Sequence, residues 1–356
     1  MSAPRPLLLE DGNFTPRERT PWGGTQLALD YKPWLLQGGG EAPVIGESWE
    51  ISVEPDFPSR VEGGEALADV IARDAVGWLG DAGAARGGAS LLLKVLDADS
   101  PLSVQIHPRD DWSGLEPGQS GKPECWYILA ARPGAHLLLG LAPGVDEARL
   151  RRALRSGEDV AALLGRVEVE PGDFFVIDAG LVHAVGAGIT LIEPQRVRPG
   201  RRGVTLRFWD HGRRYDARGK LDPAGEPRAL QVEEALAVTD WAADRGQAGL
   251  MHTRQRAGAV ATLGAPRLDA LMPPARARGS TALDASRVSG TGELELAGAH
   301  RGVLTGLFVA QGELSISHEA GDLRVPAGRS AVWPASLVEP RLALHGAHAL
   351  LASVRE

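Results

Sequence analysis

Pro101-Leu102-Ser103-Val104-Gln105-Ile106-His107-Pro108 and its continuation Gly121-Lys122-Pro123-Glu124-Cys125-Trp126-Tyr127 decide how this chain is read. The apolar lead-in Leu91-Leu92-Leu93-Lys94-Val95-Leu96 and the alternation from Leu102 to His107 predict two strands. Residues two apart on a strand share a face, so Ser103, Gln105 and His107 are expected to project together. Glu124 opens the next apolar strand, and a second histidine ends the run Pro171-Gly172-Asp173-Phe174-Phe175-Val176-Ile177-Asp178-Ala179-Gly180-Leu181-Val182-His183. One amide oxygen, two imidazoles and a carboxylate make Gln105, His107, Glu124 and His183 a candidate site for a divalent metal, with room for water or substrate. Any one of these residues is more commonly a solvated strand or turn position. The set, in its strand-and-turn contexts, favours the metal.

The whole chain sets bounds on this reading. Its 356 residues suit two domains, and 43% hydrophobic with 24% charged residues describes a globular protein. A formal net charge of −8 argues against a nucleic-acid surface. No run is long and apolar enough to cross a membrane, and the first ten residues lack the apolar centre of a secretory signal. The single cysteine, Cys125, excludes an intrachain disulfide and fits a reducing cytoplasm; it reads as a core residue, facing away from Glu124 and Trp126. A monomer is expected. Lysines are few (Lys32, Lys94, Lys122 and Lys220), which makes Lys94 and Lys122 beside the site more notable.

Gly46 to Ser52 alternates as an edge or sandwich strand, and residues 64–80 carry a helical pattern. Trp22 and Trp49 read as core aromatics, with a sugar-pocket wall as the less common alternative. A polar loop runs from Asp110 to Gly121, and His136 on a strand reads as packed or solvated. A second helical insertion spans 143–165, with Asp146 and Glu147 as caps and a break near Ser156-Gly157. Arg196 to Arg202 reads as a basic loop, either solvated or gripping a phosphate. Gln231 to Ala237 predicts a short helix. The stretch Trp241 to Gly249 marks the boundary between a catalytic part, 1–240, and a second, metal-free β part, 241–356. The latter is read as short strands (Gly292–Leu296, Gly302–Ala310, Gly312–Ile316, Ala331–Trp333), with His318, His345 and His348 on the surface or packed.

Three protein ligands with an open position suit catalytic zinc; the neutral oxygen of Gln105 keeps manganese and iron(II) in contention. Such an ion polarises a carbonyl or gathers two sugar hydroxyls.

The two motifs quoted at the outset, with Trp22-Gly23-Gly24, Gly46-Glu47-Ser48-Trp49-Glu50, the Pro-Gly-Asp-Phe-Phe to Val182-His183-Ala184 stretch and Leu206-Arg207-Phe208-Trp209-Asp210, resemble type I phosphomannose isomerases over most of residues 1–240. The resemblance implies a mainly β protein of two cupin-type (jelly-roll) sandwiches with a short helical insertion. It also implies zinc-dependent interconversion of mannose 6-phosphate and fructose 6-phosphate. By resemblance Gln105, His107, Glu124 and His183 map onto the zinc ligands and Arg207 onto a catalytic arginine. Lys122 maps onto the lysine before the glutamate ligand, Lys94 and Ser103 onto positions that hold substrate or phosphate, and Glu193 onto an acidic residue considered for proton transfer. Glu193 and Lys122 compete as the base: Lys122 would need a lowered pKa, Glu193 only proximity. The segment from Glu193 to Arg207 is longer than the family pattern. A cupin metal oxygenase and a non-catalytic sugar-phosphate-binding protein are the rival readings.

Overall fold

In the computed structural model, which describes residues 4–243, 245–246, 249, 253–256, 262, 264–272, 282–296, 300–319 and 321–355, the apolar runs form the middle of a sandwich. Leu91–Ala98 is buried along its whole length. Leu91, Leu93 and Val95 face one apolar core, Leu96 and Ala98 another. A strand covered on both faces has no polar side to alternate with, hence the unbroken run.

Six antiparallel strands form the first sheet, in the order Arg254–Arg256, Asp173–Ile177, Glu124–Ala131, Ile189–Arg196, Leu91–Ala98 and Glu47–Ile51. Five form the second: Leu206–Trp209, Val104–Ile106, His183–Val185, His136–Leu141 and Leu164–Glu168. An apolar layer that includes Leu102, Trp126, Leu137, Phe175, Ile177 and Leu191 fills the space between them. The protein is mainly β and cupin-like, as expected. Among the described residues no helix is long and apolar enough to cross a membrane.

The helical insertions differ in detail from the expectation. The first is two helices, Leu67–Arg73 and Ala75–Ala85, split at Asp74, whose carboxylate accepts the Gly77 N–H at 3.0 Å. The second is Glu147–Ser156, capped by Asp146, which accepts the Arg149 N–H at 2.7 Å. It ends at Gly157, whose φ of +71° is left-handed and cheap only for glycine.

The C-terminal sheet is not built from short strands. Leu283–Glu295, Thr305–His318 and Arg341–Val354 are long antiparallel neighbours, joined by Arg267–Ala270, Gly321–Pro326 and Ser330–Trp333. The strands expected at Gly302–Ala310 and Gly312–Ile316 are parts of one strand, Thr305–His318, because the chain bulges where a break between strands was expected. Gly312 has φ +70° and lies so close to the Gly346 carbonyl that a Cβ would fall 2.2 Å from it.

Two strands cross the division proposed after residue 240: Arg254–Arg256 joins the six-stranded sheet, and Leu7–Leu8 pairs with Val332 and Ala331. Residues 244, 247 and 248 of the expected boundary lie outside the described residues. A buried ion pair reinforces the junction. Lys32 Nζ lies 2.8 Å from Glu50, and the Ser330 hydroxyl donates to the other Glu50 oxygen at 2.7 Å. This anchors the Glu47–Ile51 strand, which carries one wall of the cleft described next.

Candidate active site

Strand pairing lays the candidate residues out in rungs. In the five-stranded sheet His183 stands opposite Gln105, and Gln105 opposite Arg207. In the six-stranded sheet Trp49 stands opposite Lys94 and Lys94 opposite Glu193; two residues along, Gln195 stands opposite Glu124. Cross-strand neighbours have Cβ atoms about 4.5–5.5 Å apart, so each rung delivers several side chains to one place.

His107, Glu124 and His183 are fully buried, with ligand atoms all within 4.8 Å of one another. Glu124 lies 3.1 Å from His107 Nε2 and 3.5 Å from His183 Nε2, and Gln105 Nε2 lies 3.4 Å from His183 Nε2. Each imidazole donates its Nδ1–H to a backbone carbonyl, His107 to Val204 at 3.0 Å and His183 to Leu181 at 2.8 Å. That fixes the tautomer and leaves the Nε2 lone pairs turned inward. His107 Nε2 and Glu124 Oε1 are buried without a hydrogen-bond partner. Ligand bonds of about 2.1 Å in a tetrahedral shell put donor atoms roughly 3.4 Å apart, close to the spacings found here. The donor set therefore fits a divalent metal ion.

This set lies beside a cleft of about 180 Å³, which it meets through Gln105 and Lys122; the cleft lining also includes Trp22, Trp49, Lys94, Ser103, Glu193 and Arg207. The tryptophans thus follow the less common alternative: buried, yet part of a pocket wall. Trp49 carries Lys94 Nζ 4.0 Å from its ring centre, and its indole N–H donates to Glu47 at 2.9 Å. Ser103 donates to Gln105 Oε1 at 3.3 Å.

The electrostatics sort the titratable groups. Burial lowers both imidazoles, His183 to about 3, so they are neutral and able to ligate. Burial opposes the charge on Glu124, but the positive charge beside it, that of the Lys122 ammonium once both imidazoles are neutral, holds the carboxyl below its usual range. Lys122 Nζ is 3.4 Å from that carboxylate. Burial would lower Lys122 too, but Glu124, Glu193 and Glu47 outweigh it and raise its pKa, so the lowered value that a basic Lys122 would need is not met. Glu193 goes the other way: burial, then the Glu124 charge, push it up to about 8. The Trp126 indole N–H donates to its Oε1 at 2.9 Å and fixes its position. Arg207 is lowered to about 10 by burial and by Arg228, and stays charged at neutral pH.

The Arg196–Arg202 segment is neither solvated throughout nor a free phosphate grip. Arg196 ends a strand and pairs with Asp110, which also accepts from Arg198 at 3.2 Å. Arg201 donates to the Gln119 carbonyl, and Arg202 lines the cleft while paired to Asp56 at 2.8 Å. His136 lies outside the site, beside the Gly134 carbonyl and Arg166. Sequence reasoning missed Gln195, which is fully buried and donates Nε2–H to Glu124 at 2.9 Å. Its place two residues beyond Glu193 on one strand was the available signal. Arg19 and Arg228 also line the cleft and had no local signal.

Residues 21–120 match the family model "Phosphomannose isomerase type I, catalytic domain", a segment that contains Gln105 and His107. Over 227 residues, 62% of this chain, it is 34% identical to mannose-6-phosphate isomerase ManA of Bacillus subtilis (strain 168). Over 222 residues, 61% of this chain, it is 32% identical to mannose-6-phosphate isomerase of Streptococcus mutans. The chain is similar to type I phosphomannose isomerases in sequence. The matches span 66% and 63% of those two relatives' own length, just under two thirds. Across the whole fold the chain is similar to solved structures. Mannose 6-phosphate isomerase from Bacillus subtilis superposes with TM-score 0.74 at 22% identity, covering 98% of this chain and 99% of that one. A single-residue variant of phosphomannose isomerase from Salmonella typhimurium gives 0.67 at 17%, covering 98% and 100%. At these identities the superpositions speak to the fold; they extend the likeness to the C-terminal sheet.

Proposed function

We propose that this protein is a metal-dependent aldose–ketose isomerase interconverting mannose 6-phosphate and fructose 6-phosphate. The observation that carries the reading is the buried His107–Glu124–His183 set, its Nε2 atoms turned inward, beside a cleft lined by Gln105, Glu193, Lys122 and Arg207. The names of the relatives support the substrate. The ion would be held by Gln105, His107, Glu124 and His183; Gln105, whose amide nitrogen faces His183 in this structure, would present its oxygen after a flip of the amide. All-nitrogen-and-oxygen donors with two imidazoles suit zinc, and manganese or iron(II) would show themselves in a metal analysis. We read the setting as the cytoplasm, on the lone buried cysteine, and the protein as a monomer.

The bound ion would supply a fixed positive charge that polarises the sugar oxygens. Glu193, held by the Trp126 indole, takes the C2 proton of the open-chain aldose and returns it at C1. A base whose pKa lies near the working pH suits that exchange. Lys122, kept protonated by three carboxylates, and Arg207 offer positive charge to the oxyanion that develops on the enediolate oxygens. Lys94 and Ser103 face the sugar from the cleft wall.

A coupled assay on metal-loaded protein tests the reading. Turnover of mannose 6-phosphate to fructose 6-phosphate that is lost on chelation and restored by metal supports it. No turnover beside an active isomerase control would sink it, and turnover strictly dependent on O₂ would favour an oxygenase.

A further inference from the structure

The charged groups of the cleft are unevenly matched. Lys94 Nζ is 3.5 Å from Glu47, Lys122 is 3.4 Å from Glu124, and Arg202 is 2.8 Å from Asp56. Glu54, also on the wall, accepts the Gly203 N–H at 3.2 Å. On this side each cation has its own carboxylate.

The wall behind the Leu206–Trp209 strand is different. Arg207 lies on that strand with Arg228 beside it, and Arg19 lines the same cleft from the side of Phe57 and Trp49. Among the described residues Arg207 has no carboxylate within ion-pair distance, and its Nε is buried without a hydrogen-bond partner. So is one terminal nitrogen of Arg228. The nearest acid, Asp210, is held by Arg213 at 2.5 Å and is 3.8 Å from Arg228, beyond a hydrogen bond. Arg19 stacks 4.8 Å above the Phe57 ring, which leaves the edges of its guanidinium for a ligand. Backbone pairing sets the cluster in place: Arg207 N–H donates to the Gln231 side chain and Gln231 N–H to the Arg207 carbonyl, which brings the chain carrying Arg228 alongside. Burial first, then the charges of Arg228 and Arg19, lower the Arg207 pKa.

Guanidinium groups with unspent donors lining one cleft are matched by a tetrahedral dianion, which can take several of them bidentately. We propose that Arg19 and Arg228, with Arg207, form the subsite for the substrate's phosphate group. The proposal rests on the sugar-phosphate reading above and deepens it, because it assigns the phosphate to two arginines instead of to Lys94 and Ser103. A phosphate there leaves the sugar carbons between Arg207 and Glu193. It also places the anion on guanidinium donors that have no close carboxylate among the described residues, so the paired lysines need not exchange theirs for substrate.

The test is calorimetric titration of the metal-loaded full chain with inorganic phosphate, then with mannose 6-phosphate and free mannose. Arg19→Gln and Arg228→Gln are each expected to weaken phosphate binding about 10-fold or more, and the double variant multiplicatively, as for lost hydrogen bonds between charged groups. Mannose 6-phosphate affinity should fall in parallel, free mannose affinity should move less than about 2-fold, and Arg228→Lys should recover part of the loss. Unchanged phosphate affinity in the double variant would overturn the subsite. So would a larger loss from Lys94→Gln. Arg19 is exposed on a loop, so its variant keeps the test valid if Arg228→Gln does not fold. Phosphate binding that depends on these arginines, in a protein without isomerase turnover, would instead break the reaction assigned above and leave the subsite standing.

Discussion

Among the described residues two pairs of buried histidines can be set side by side, and of these only one has the makings of a metal centre. His107 and His183 each spend Nδ1 on a backbone carbonyl and turn Nε2 toward Glu124. In the C-terminal sheet, His300 is pinned at both nitrogens, by Ser353 at 2.9 Å and Ser286 at 3.1 Å, and His348 Nε2 lies 2.8 Å from the Tyr127 hydroxyl. Burial lowers the pKa in all four cases, His300 and His348 each to about 4. Burial and neutrality therefore do not distinguish a ligand from a packed histidine. The difference is the unspent nitrogen beside a carboxylate: His107 Nε2 has no hydrogen-bond partner, and both nitrogens of His300 have one.

The sharpest way to break this contrast is to remove one histidine from each pair. His183→Ala should reduce bound metal from about one ion per chain to near zero by elemental analysis, with the far-UV circular dichroism retained. His300→Ala should leave the metal in place. Equal metal content in the two variants would end the distinction. Next in size, Glu193→Gln should keep the metal and slow isomerisation by about 10²–10⁴-fold, the usual weight of a positioned acid or base. In the unaltered protein kcat/KM should rise with pH as Glu193 loses its proton. The midpoint should lie below about 8, because a bound cation favours the carboxylate. Glu193→Gln should lose that limb, and an unchanged profile would move the proton transfer elsewhere.

Gln195→Leu carries a smaller effect. It removes the amide that holds Glu124 at 2.9 Å, and the metal dissociation constant should rise about 10–100-fold. A competition titration with a chelator reads this directly, and an unchanged constant would make Gln195 a packing residue. Smallest is the stability cost of His300→Ala, which strands the Ser286 and Ser353 hydroxyls in the core. A loss of about 1–3 kcal/mol in denaturant unfolding is expected.

Much of the candidate site could be read before any coordinates. The alternation from Leu102 to His107 put Ser103, Gln105 and His107 on one face, and Glu124 followed on the next strand. The caps at Asp146 and Gly157 were equally local, because a side chain that closes a helix end acts within three or four residues. What failed had the same root. The break expected between Ala310 and Gly312 is a bulge, because a left-handed glycine serves turns and bulges alike and only the partner strand tells them apart. The arginines from 196 to 202 were ambiguous because an arginine's meaning lies in its partner, here Asp110 for two of them, more than 80 residues away.

By itself, then, the sequence determined a mainly β chain, the strand faces that carry the metal-binding candidates, and the family likeness, because strand periodicity and the spacing of donor residues are properties of the chain. Tertiary structure alone decided that His183 faces Gln105 across one rung and Gln195 faces Glu124 across another. It also decided that Lys122 is held protonated while Glu193 is pushed up, and that Arg19 and Arg228 stand beside Arg207. Register, burial and the distance between charges depend on which strands become neighbours, and these segments are separated by up to about two hundred residues of chain.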